Sequence, residues 1–257
     1  MCTVTVRCGG GSLLLTMNRD ERWNRAPEEA PRIIPGEPGR PAWVAPFDSA
    51  SGGTWIGVNA WGVAACVLNG YTPGDERLRD DPAVPSRGSI IPRILEEQVG
   101  EGPASMQGTL DFSAYPSFTL LVATAYGGEV VRWRHGGSLS RETVGTGWSF
   151  LTSSSWNEPE VAARRRQAFE AWRDRGAPSL LGLPELHLLA PAGEEESAPF
   201  MTRQKSATRS ISMVRVDEDR SLARLVWWPR PASGRIEPDR PGAVLDIPLV
   251  APHAGAA

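Results

Sequence analysis

The chain has 257 residues, of which 22% are charged and 40% hydrophobic, and its formal net charge at pH 7 is −3. This composition is typical of a globular protein with a sizeable core, and the weak charge gives no electrostatic reason to expect binding to nucleic acid or a membrane surface. No apolar run approaches the roughly 20 residues of a membrane-spanning helix. Residues 1–10 lack the features of a signal peptide, so we expect a cytoplasmic protein with no transmembrane segment.

The first part of the chain is predicted to contain two β-hairpins separated by a long loop. In residues 2–7 β-branched side chains alternate with other residues, and residues 12–18 form an apolar run, so both segments are predicted to be strands. The glycines between them predict a turn. Residues 26–52 are rich in Pro, Gly and charge, which predicts an irregular loop. Residues 52–59 and 62–69 then predict the second hairpin.

The remainder is predicted to combine two helices with further strands. The helices are expected at 89–99 and 158–175, the strands at 118–124, 129–134, 148–153, 211–216 and 222–228, and a loosely held tail at about 230–257. Hairpins with few helices predict an α+β protein, a sandwich of antiparallel sheets with helices on the outer faces. We expect one domain over residues 1–257, because no linker or internal repeat is visible.

Cysteine and histidine are scarce. Cys2, Cys8 and Cys66 are an odd number without zinc-type or CxxC spacing, so we expect neither a disulfide framework nor a metal site. The three histidines form no ligand-like pair. The sequence therefore gives little support to Ser-His-Asp, Cys-His or histidine-metal chemistry.

The cysteine at position 2 has a chemical consequence of its own. Removal of the initiator methionine, which a small following side chain favours, would give Cys2 both a thiol and a free α-amino group. The amine has a reference pKa of about 7.7–8.0, so it can take the thiol proton near neutral pH and produce the nucleophilic thiolate. The alternative interpretation of Cys2 is a small hydrophobic residue at the start of a strand. Pairing in the first hairpin would place Asn18, Arg19 and Asp20 near Cys2.

Several motifs resemble those of one family. Asn18-Arg19-Asp20-Glu21 is the tetrapeptide that names the NRDE family, also called the transport and Golgi organisation 2 family. The start MCT, GGTWIGVN at 52–59, LNG at 68–70 and the segments 151–165 and 208–217 are similar to that family as well. The resemblance implies a four-layer αββα sandwich like that of the N-terminal nucleophile (Ntn) hydrolases. It also implies kinship with the choloylglycine hydrolases and penicillin acylases, which start with MC and carry an Asn-x-Asp at a similar distance.

The chain departs from those hydrolases at two positions. They have an arginine just before the Asn-x-Asp, where this chain has Met17, and an asparagine in a later LTN segment, where this chain has Ser153. These departures argue against bile-salt or penicillin substrates.

The resemblance implies roles for the residues around Cys2. Cys2 is the expected nucleophile that forms an acyl-enzyme, and Asp20 is expected to orient the α-ammonium group, with a hairpin-closing turn as its alternative. Asn18 is a candidate oxyanion contact or a turn cap. Asn69, with the N–H of Gly70, is a candidate oxyanion site or an ordinary Asn-Gly turn.

Further residues are expected to bind substrate. Arg19 would either bind a substrate carboxylate or pair with Asp20 or Glu21. Thr54 and Trp55 are candidate pocket residues, with core packing or loop anchoring as the alternative, and Arg209 is a candidate for binding an anionic group, with surface exposure as the alternative. Ser153 is a further candidate substrate-binding residue. The run Arg164-Arg165-Arg166 on a helix predicts a solvated face.

We therefore expect an N-terminal cysteine amidohydrolase or acyltransferase that acts on a small acylated substrate and needs no metal or organic cofactor. The alternative is a non-enzymatic carrier of haem or another hydrophobic metabolite, consistent with the haem trafficking linked to the family. In that case the ten tryptophans would line a pocket and the Cys2 thiolate would bind iron.

Overall fold

The fold is described from a computed structural model, which covers residues 2–72, 83–97, 111–176 and 182–251, together with Asp75, Leu78 and Asp81. The strands in these ranges are β1 Cys2–Gly9, β2 Ser12–Arg22, β3 Glu28–Ile34, β4 Trp43–Asp48, β5 Ile56–Asn59, β6 Ala64–Asn69, β7 Phe118–Thr124, β8 Gly127–Arg134, β9 Ser138–Val144, β10 Gly147–Ser153, β11 Ser206–Asp217, β12 Leu222–Pro229 and β13 Ala243–Pro248. In the continuous described ranges the helices are α1 Ile90–Glu96 and α2 Glu158–Asp174, with 3₁₀ turns at Arg87–Ser89, Phe112–Ala114 and Glu185–Leu188.

The strands form two antiparallel sheets. The first sheet has six strands in the order β10-β1-β2-β11-β12-β13, and the second has seven in the order β3-β4-β5-β6-β7-β8-β9. The turn between β1 and β2 consists of Gly10 and Gly11, whose φ angles of 61° and 68° suit glycine and match a two-residue hairpin turn. This turn fixes the register of the hairpin and thereby places Cys2 opposite Arg19.

In the described part of the chain, hydrophobic side chains pack on both faces of each sheet. Val4 and Met17 of the first sheet pack with Val58 and Leu121 of the second in a cluster between the sheets. Helix α1 packs on the outer face of the second sheet in a separate cluster. Helix α2 packs on the outer face of the first sheet, where Phe169 stacks on Phe150 with 5.0 Å between the ring centroids. The predicted α+β sandwich with helices outside the two sheets is therefore confirmed.

The prediction of an irregular loop at 26–52 is wrong, because this segment contains β3 and β4. Strand β3 lies at the edge of its sheet, where Pro31 and charged side chains are tolerated and hydrophobic alternation is not required. Strand β4 is buried along its whole length despite Pro46. Composition alone therefore concealed both strands.

Other boundaries differ less. Helix α1 covers 90–96 of the predicted 89–99, of which 98 and 99 lie outside the described residues. Strand β2 continues to Arg22, so the NRDE tetrapeptide lies within the strand. Residues 243–248, inside the segment predicted as a loosely held tail, form β13 and pair with β12. No helix in the described ranges is long and apolar enough to span a membrane.

Candidate active site

Cys2 is the first residue of β1, between two neighbouring strands. It lies opposite Arg19 of β2 on one side and Ser153 of β10 on the other. Residues directly opposite in antiparallel strands place their side chains on the same face of the sheet. Cys2 belongs to the cluster between the sheets, together with Trp55 and Cys66, and is 6% exposed. The sequence therefore assembles Cys2, Arg19, Ser153 and Trp55 on the inner face, at one end of the sandwich.

The environment of the Cys2 sulfur keeps its proton bound. Burial raises the pKa of the Cys2 thiol above its ordinary value, and the nearby carboxylate of Asp20 acts in the same direction. A hydrogen bond from the backbone N–H of Asp20 and the positive charge of Arg19 oppose this rise in pKa without overcoming it. Because the thiolate is the reactive form, a nucleophilic Cys2 needs a base that takes its proton during attack.

Asp20 is held on the opposite face of the same sheet. Its Oδ2 lies 3.1 Å from Nη2 of Arg165, and both side chains are completely buried. Its Oδ1 accepts a hydrogen bond of 2.7 Å from the hydroxyl of Thr208 on the adjacent strand β11. The carboxylate is therefore fixed in position and ionically paired next to the start of β1.

Arg165 also binds the start of β1 directly. Its Nη1 donates to the Thr3 hydroxyl at 2.9 Å, to the Thr152 hydroxyl at 3.2 Å and to the Cys2 carbonyl at 3.4 Å. One guanidinium group thus connects the backbone of Cys2 to β10 through Thr152 and to β2 through Asp20.

The prediction that Arg164, Arg165 and Arg166 form a solvated face is wrong for Arg165, which is completely buried. The signal was present in the helical spacing, because Val161, Arg165 and Phe169 recur at four-residue intervals and all are buried. The charge of Arg165 obscured that pattern. Its neighbours Arg164 and Arg166 are exposed, as predicted.

Asn18 participates in a buried network with a histidine. Its Nδ2 donates to the carbonyls of His187 and Pro199 at 2.9 and 2.8 Å, so its Oδ1 must accept the hydrogen bond from His187 Nδ1. The Thr5 hydroxyl lies 2.7 Å from His187 Nε2 and donates to it. Burial lowers the pKa of His187 to about 3, so the ring is neutral with its proton on Nδ1. No local motif indicates this use of His187, which the sequence interpretation did not single out.

The arrangement of β2 separates Asn18 from the sulfur. Asn18 pairs with Thr3 and shares the outer face with Asp20, whereas Cys2 points to the inner face. Both ends of the Asn18 amide are already engaged in the His187 network. The geometry therefore favours a structural role for Asn18 over the predicted oxyanion contact.

Arg19 has carboxylate partners close by. Its Nη2 lies 2.7 Å from Oδ2 of Asp48, while Glu28 and Glu21 approach its guanidinium at 3.7 and 3.9 Å. The guanidinium also lies over the Trp55 ring, 4.4 Å from the centroid. Asp48 comes from β4, in the segment that was predicted to be a loop, so this partner was missed. Of the two ion-pair partners predicted for Arg19, Glu21 approaches it, whereas Asp20 pairs with Arg165.

Asn69 is the last residue of β6, and its side chain lies on the face of the second sheet that is turned away from Cys2. Strand alternation places its side chain with that of Val67, which packs in the cluster under α1, while Cys66 and Leu68 face the cluster that contains Cys2. The backbone N–H of Gly70 already donates to the Ser117 carbonyl at 2.8 Å. The geometry therefore supports the Asn-Gly connection more than the oxyanion site.

Two other predicted site residues have structural partners. The Thr54 hydroxyl is buried and donates to the Ile56 carbonyl at 3.1 Å. Arg209 donates from Nη1 to the carbonyls of Arg22 and Trp23 at 3.0 and 3.3 Å, which anchors the end of β2. Neither contact joins these side chains to Cys2.

Two surface cavities lie elsewhere. One of about 920 Å³ is lined by Leu188, Phe200, Arg230 and residues 234–240, and one of about 350 Å³ by Ile33, Trp61, Ile247 and neighbouring residues. Cys2, Arg19 and Asp20 line neither cavity, so we do not assign either of them to the candidate site.

Two antiparallel sheets between helical layers are the architecture of the Ntn-hydrolase fold. The structure is similar to the Caenorhabditis elegans orthologue of N-acylethanolamine-hydrolyzing acid amidase, with a TM-score of 0.55, 11% identity and coverage of 82% of this chain and 92% of that chain. It is also similar to a variant of the conjugated bile acid hydrolase from Clostridium perfringens, with a TM-score of 0.52, 11% identity and coverage of 96% and 92%.

The sequence assigns the chain to a particular family within this fold. The chain belongs to the Transport and Golgi organisation 2 family, whose sequence profile matches residues 1–219. No curated protein sequence matches it significantly. The family resemblance seen in the NRDE and MCT motifs is confirmed.

Proposed function

We propose that this protein is an N-terminal cysteine hydrolase or acyltransferase that cleaves an amide or ester of a small acylated substrate through a thioester at Cys2. The observation that carries the proposal is the attachment of Cys2 to the buried pair of Asp20 and Arg165. The backbone N–H of Asp20 reaches the Cys2 sulfur, and Arg165 binds the Cys2 carbonyl. Such a network positions one cysteine more firmly than packing in a core requires.

The proposed reaction requires that Met1 is removed. The free α-amino group of Cys2 takes the thiol proton as the sulfur attacks the substrate carbonyl carbon, and a C–S bond forms. Collapse of the tetrahedral intermediate breaks the C–N or C–O bond, and the α-ammonium group returns the proton to the departing amine or alcohol. Water, or an acceptor amine or alcohol, then attacks the thioester and releases the acyl group with regeneration of the thiol.

In this mechanism Asp20 is a positioning residue. Its carboxylate would attract the α-ammonium group and hold it next to the sulfur, while Arg165 and Thr208 hold the carboxylate. Burial raises the pKa of the Cys2 thiol, so the thiol stays protonated unless a base takes its proton. An α-amino group held next to the sulfur by Asp20 would supply that base.

The charges around Arg19 favour a neutral acyl group. Arg19 is directly paired with Asp48, and Glu21 and Glu28 lie within 4 Å of its guanidinium. A substrate carboxylate would have to compete with these three side chains for the same cation. We therefore propose that the acyl group carries no charge next to the reacting carbonyl.

Turnover of N-acyl amines and acyl esters tests the proposed function. Product release from a panel of increasing acyl length is followed by liquid chromatography and mass spectrometry for the wild type, Cys2→Ala and Cys8→Ala. Cys8 is a matched control, because it is a buried cysteine of the same strand. The proposal predicts that Cys2→Ala abolishes turnover and that Cys8→Ala retains it. Turnover that survives in Cys2→Ala would contradict the proposal.

A further inference from the structure

Several buried polar atoms have no hydrogen-bond partner within the described part of the chain. They are Thr16 Oγ1, Trp55 Nε1, Ser153 Oγ, Ser212 Oγ and Trp227 Nε1. Native proteins rarely leave such groups unsatisfied, because burial removes the water that would otherwise bind them. Two of the five belong to residues around Cys2, and these two require a chemical explanation.

Ser153 lies directly opposite Cys2 across β1 and β10 and is 5% exposed. Residues in this relation have Cβ atoms about 4.5–5.5 Å apart, with both side chains on the same face. The adjacent Thr152 hydroxyl, on the other face, donates to the Cys2 carbonyl at 3.0 Å. Of these two hydroxyls, that of Thr152 has a hydrogen-bond acceptor and that of Ser153 has none among the described residues. The Ser153 hydroxyl lies within reach of a group bonded to the Cys2 sulfur.

Trp55 approaches the same place from the facing sheet. It is 6% exposed and belongs to the cluster that contains Cys2. Its backbone carbonyl accepts from the N–H of Val67 at 2.9 Å, and its ring lies under the Arg19 guanidinium, on the β2 side of Cys2. An indole N–H is a donor only, so an acceptor alone can satisfy it.

We propose that the Ser153 hydroxyl and the Trp55 indole N–H bind the carbonyl oxygen of the substrate and stabilise it as an oxyanion. This inference rests on the proposed function. As the Cys2 sulfur forms its bond to the carbonyl carbon, the π electron pair of C=O moves to the oxygen, and both donors strengthen their hydrogen bonds to it. Both donors are neutral and shielded from water. We therefore expect them to bind a carbonyl oxygen better than a sulfur atom in the same position, because sulfur is the weaker hydrogen-bond acceptor.

The chain provides matched controls for both donors. Ser212 and Trp227 are also buried on the inner face with unsatisfied polar atoms, but they lie opposite each other on β11 and β12. Ser212 pairs with Met17, deeper in the sheet than the pairing of Cys2 with Arg19. Their substitution changes the same kinds of group without altering the surroundings of Cys2.

The test measures acylation of Cys2 by p-nitrophenyl butyrate, from the burst of nitrophenolate and the intact mass of the acyl-enzyme. Ser153→Ala and Trp55→Phe are each expected to slow acylation by roughly 10²-fold with little change in KM, as for loss of one oxyanion donor. Ser212→Ala and Trp227→Phe are expected to stay within about twofold of wild type. Melting temperatures establish that each variant is folded.

Two further measurements distinguish hydrogen bonding from packing. Ser153→Thr and Ser153→Val are nearly equal in shape, and only the threonine variant is expected to retain acylation. This pair also serves if Ser153→Ala does not fold. The wild type is expected to prefer p-nitrophenyl butyrate over its thiono analogue, in which sulfur replaces the carbonyl oxygen, and this preference is expected to shrink in Ser153→Ala.

The outcomes separate the two levels of the proposal. If the wild type is acylated at Cys2 but Ser153→Ala and Trp55→Phe react as fast as their controls, the donor assignment is overturned and the hydrolase function stands. If the wild type is not acylated at Cys2, the proposed function fails and the donor assignment falls with it.

Discussion

Asp20 and Arg165 form an ion pair with 3.1 Å between Oδ2 and Nη2, and neither side chain is exposed to solvent. The pair joins β2, in the first sheet, to helix α2 on its outer face. Arg165 also binds the Cys2 carbonyl. The position of the candidate nucleophile therefore depends on a charged side chain that lies 163 residues away in the sequence.

Removal of Arg165 should be strongly destabilising. Arg165→Met leaves the Asp20 carboxylate buried without its cation, and we expect a loss of about 3–5 kcal/mol in the free energy of unfolding. Arg164→Met is the matched control, because Arg164 is exposed and pairs with Glu160 at 3.2 Å on the helix surface. Its effect should stay below about 0.5 kcal/mol. Urea unfolding of both variants measures the difference. Similar losses of unfolding free energy in the two variants would show that the buried ion pair stabilises the protein no more than the surface pair does.

Removal of both charges should separate stability from function. Asp20→Asn combined with Arg165→Met leaves no unpaired ion, so we expect it to recover at least about 1–2 kcal/mol relative to Arg165→Met alone. Acylation of Cys2 should remain at least tenfold below wild type, since no carboxylate orients the α-ammonium group. A double variant that regains both stability and acylation would assign Asp20 a purely structural role.

Part of this site was predictable from the sequence. The glycine turn and the hydrophobic alternation of the first hairpin placed Arg19 beside Cys2, and the structure has that pairing. Asp48 was missed because β4 lies in a segment whose prolines and glycines predict a loop. Arg165 was missed because its charge obscured the apolar spacing of α2, and the partners of His187 lie 169 and 182 residues away in the sequence. Contacts over such separations leave no local pattern.

The stability of the protein should fall as the pH drops below 6.5. Burial lowers the pKa of His187 from 6.5 to about 3, so the unfolded chain binds a proton in this interval that the folded protein does not. This one group should contribute a slope of about 1.4 kcal/mol per pH unit between roughly pH 6 and 4, with stability rising with pH. His187→Gln should have a lower stability at pH 7 and a flatter dependence below it.

His135→Gln is the control for that measurement, because it removes a histidine outside the Asn18 network. Urea unfolding at several pH values between 4 and 7.5 gives the slopes. Equal slopes in the wild type and His187→Gln would contradict a neutral, buried His187.

Substrate charge should affect the rate in a defined direction. The wild type is expected to be acylated faster by p-nitrophenyl butyrate than by p-nitrophenyl succinate, whose acyl group carries a carboxylate, because Asp48 already occupies Arg19. Asp48→Asn should raise the relative rate on the succinate ester by about threefold to tenfold, which corresponds to roughly 1 kcal/mol. Asp246→Asn, which removes the carboxylate paired with Arg224 at the surface, should leave the ratio unchanged. A wild type that prefers the succinate ester would refute the neutral acyl group.

The most direct test is the intact mass of the purified protein before and after reaction with a β-lactone, with the modified residue mapped by peptide analysis. Burial raises the pKa of the Cys8 thiol to about 11 and also raises the pKa of Cys66, so neither should react in the folded protein. The hydrolase proposal predicts loss of Met1 and one adduct on Cys2. Retained Met1, or no adduct on Cys2 in the folded protein, would contradict the mechanism and make titration with haem the next experiment.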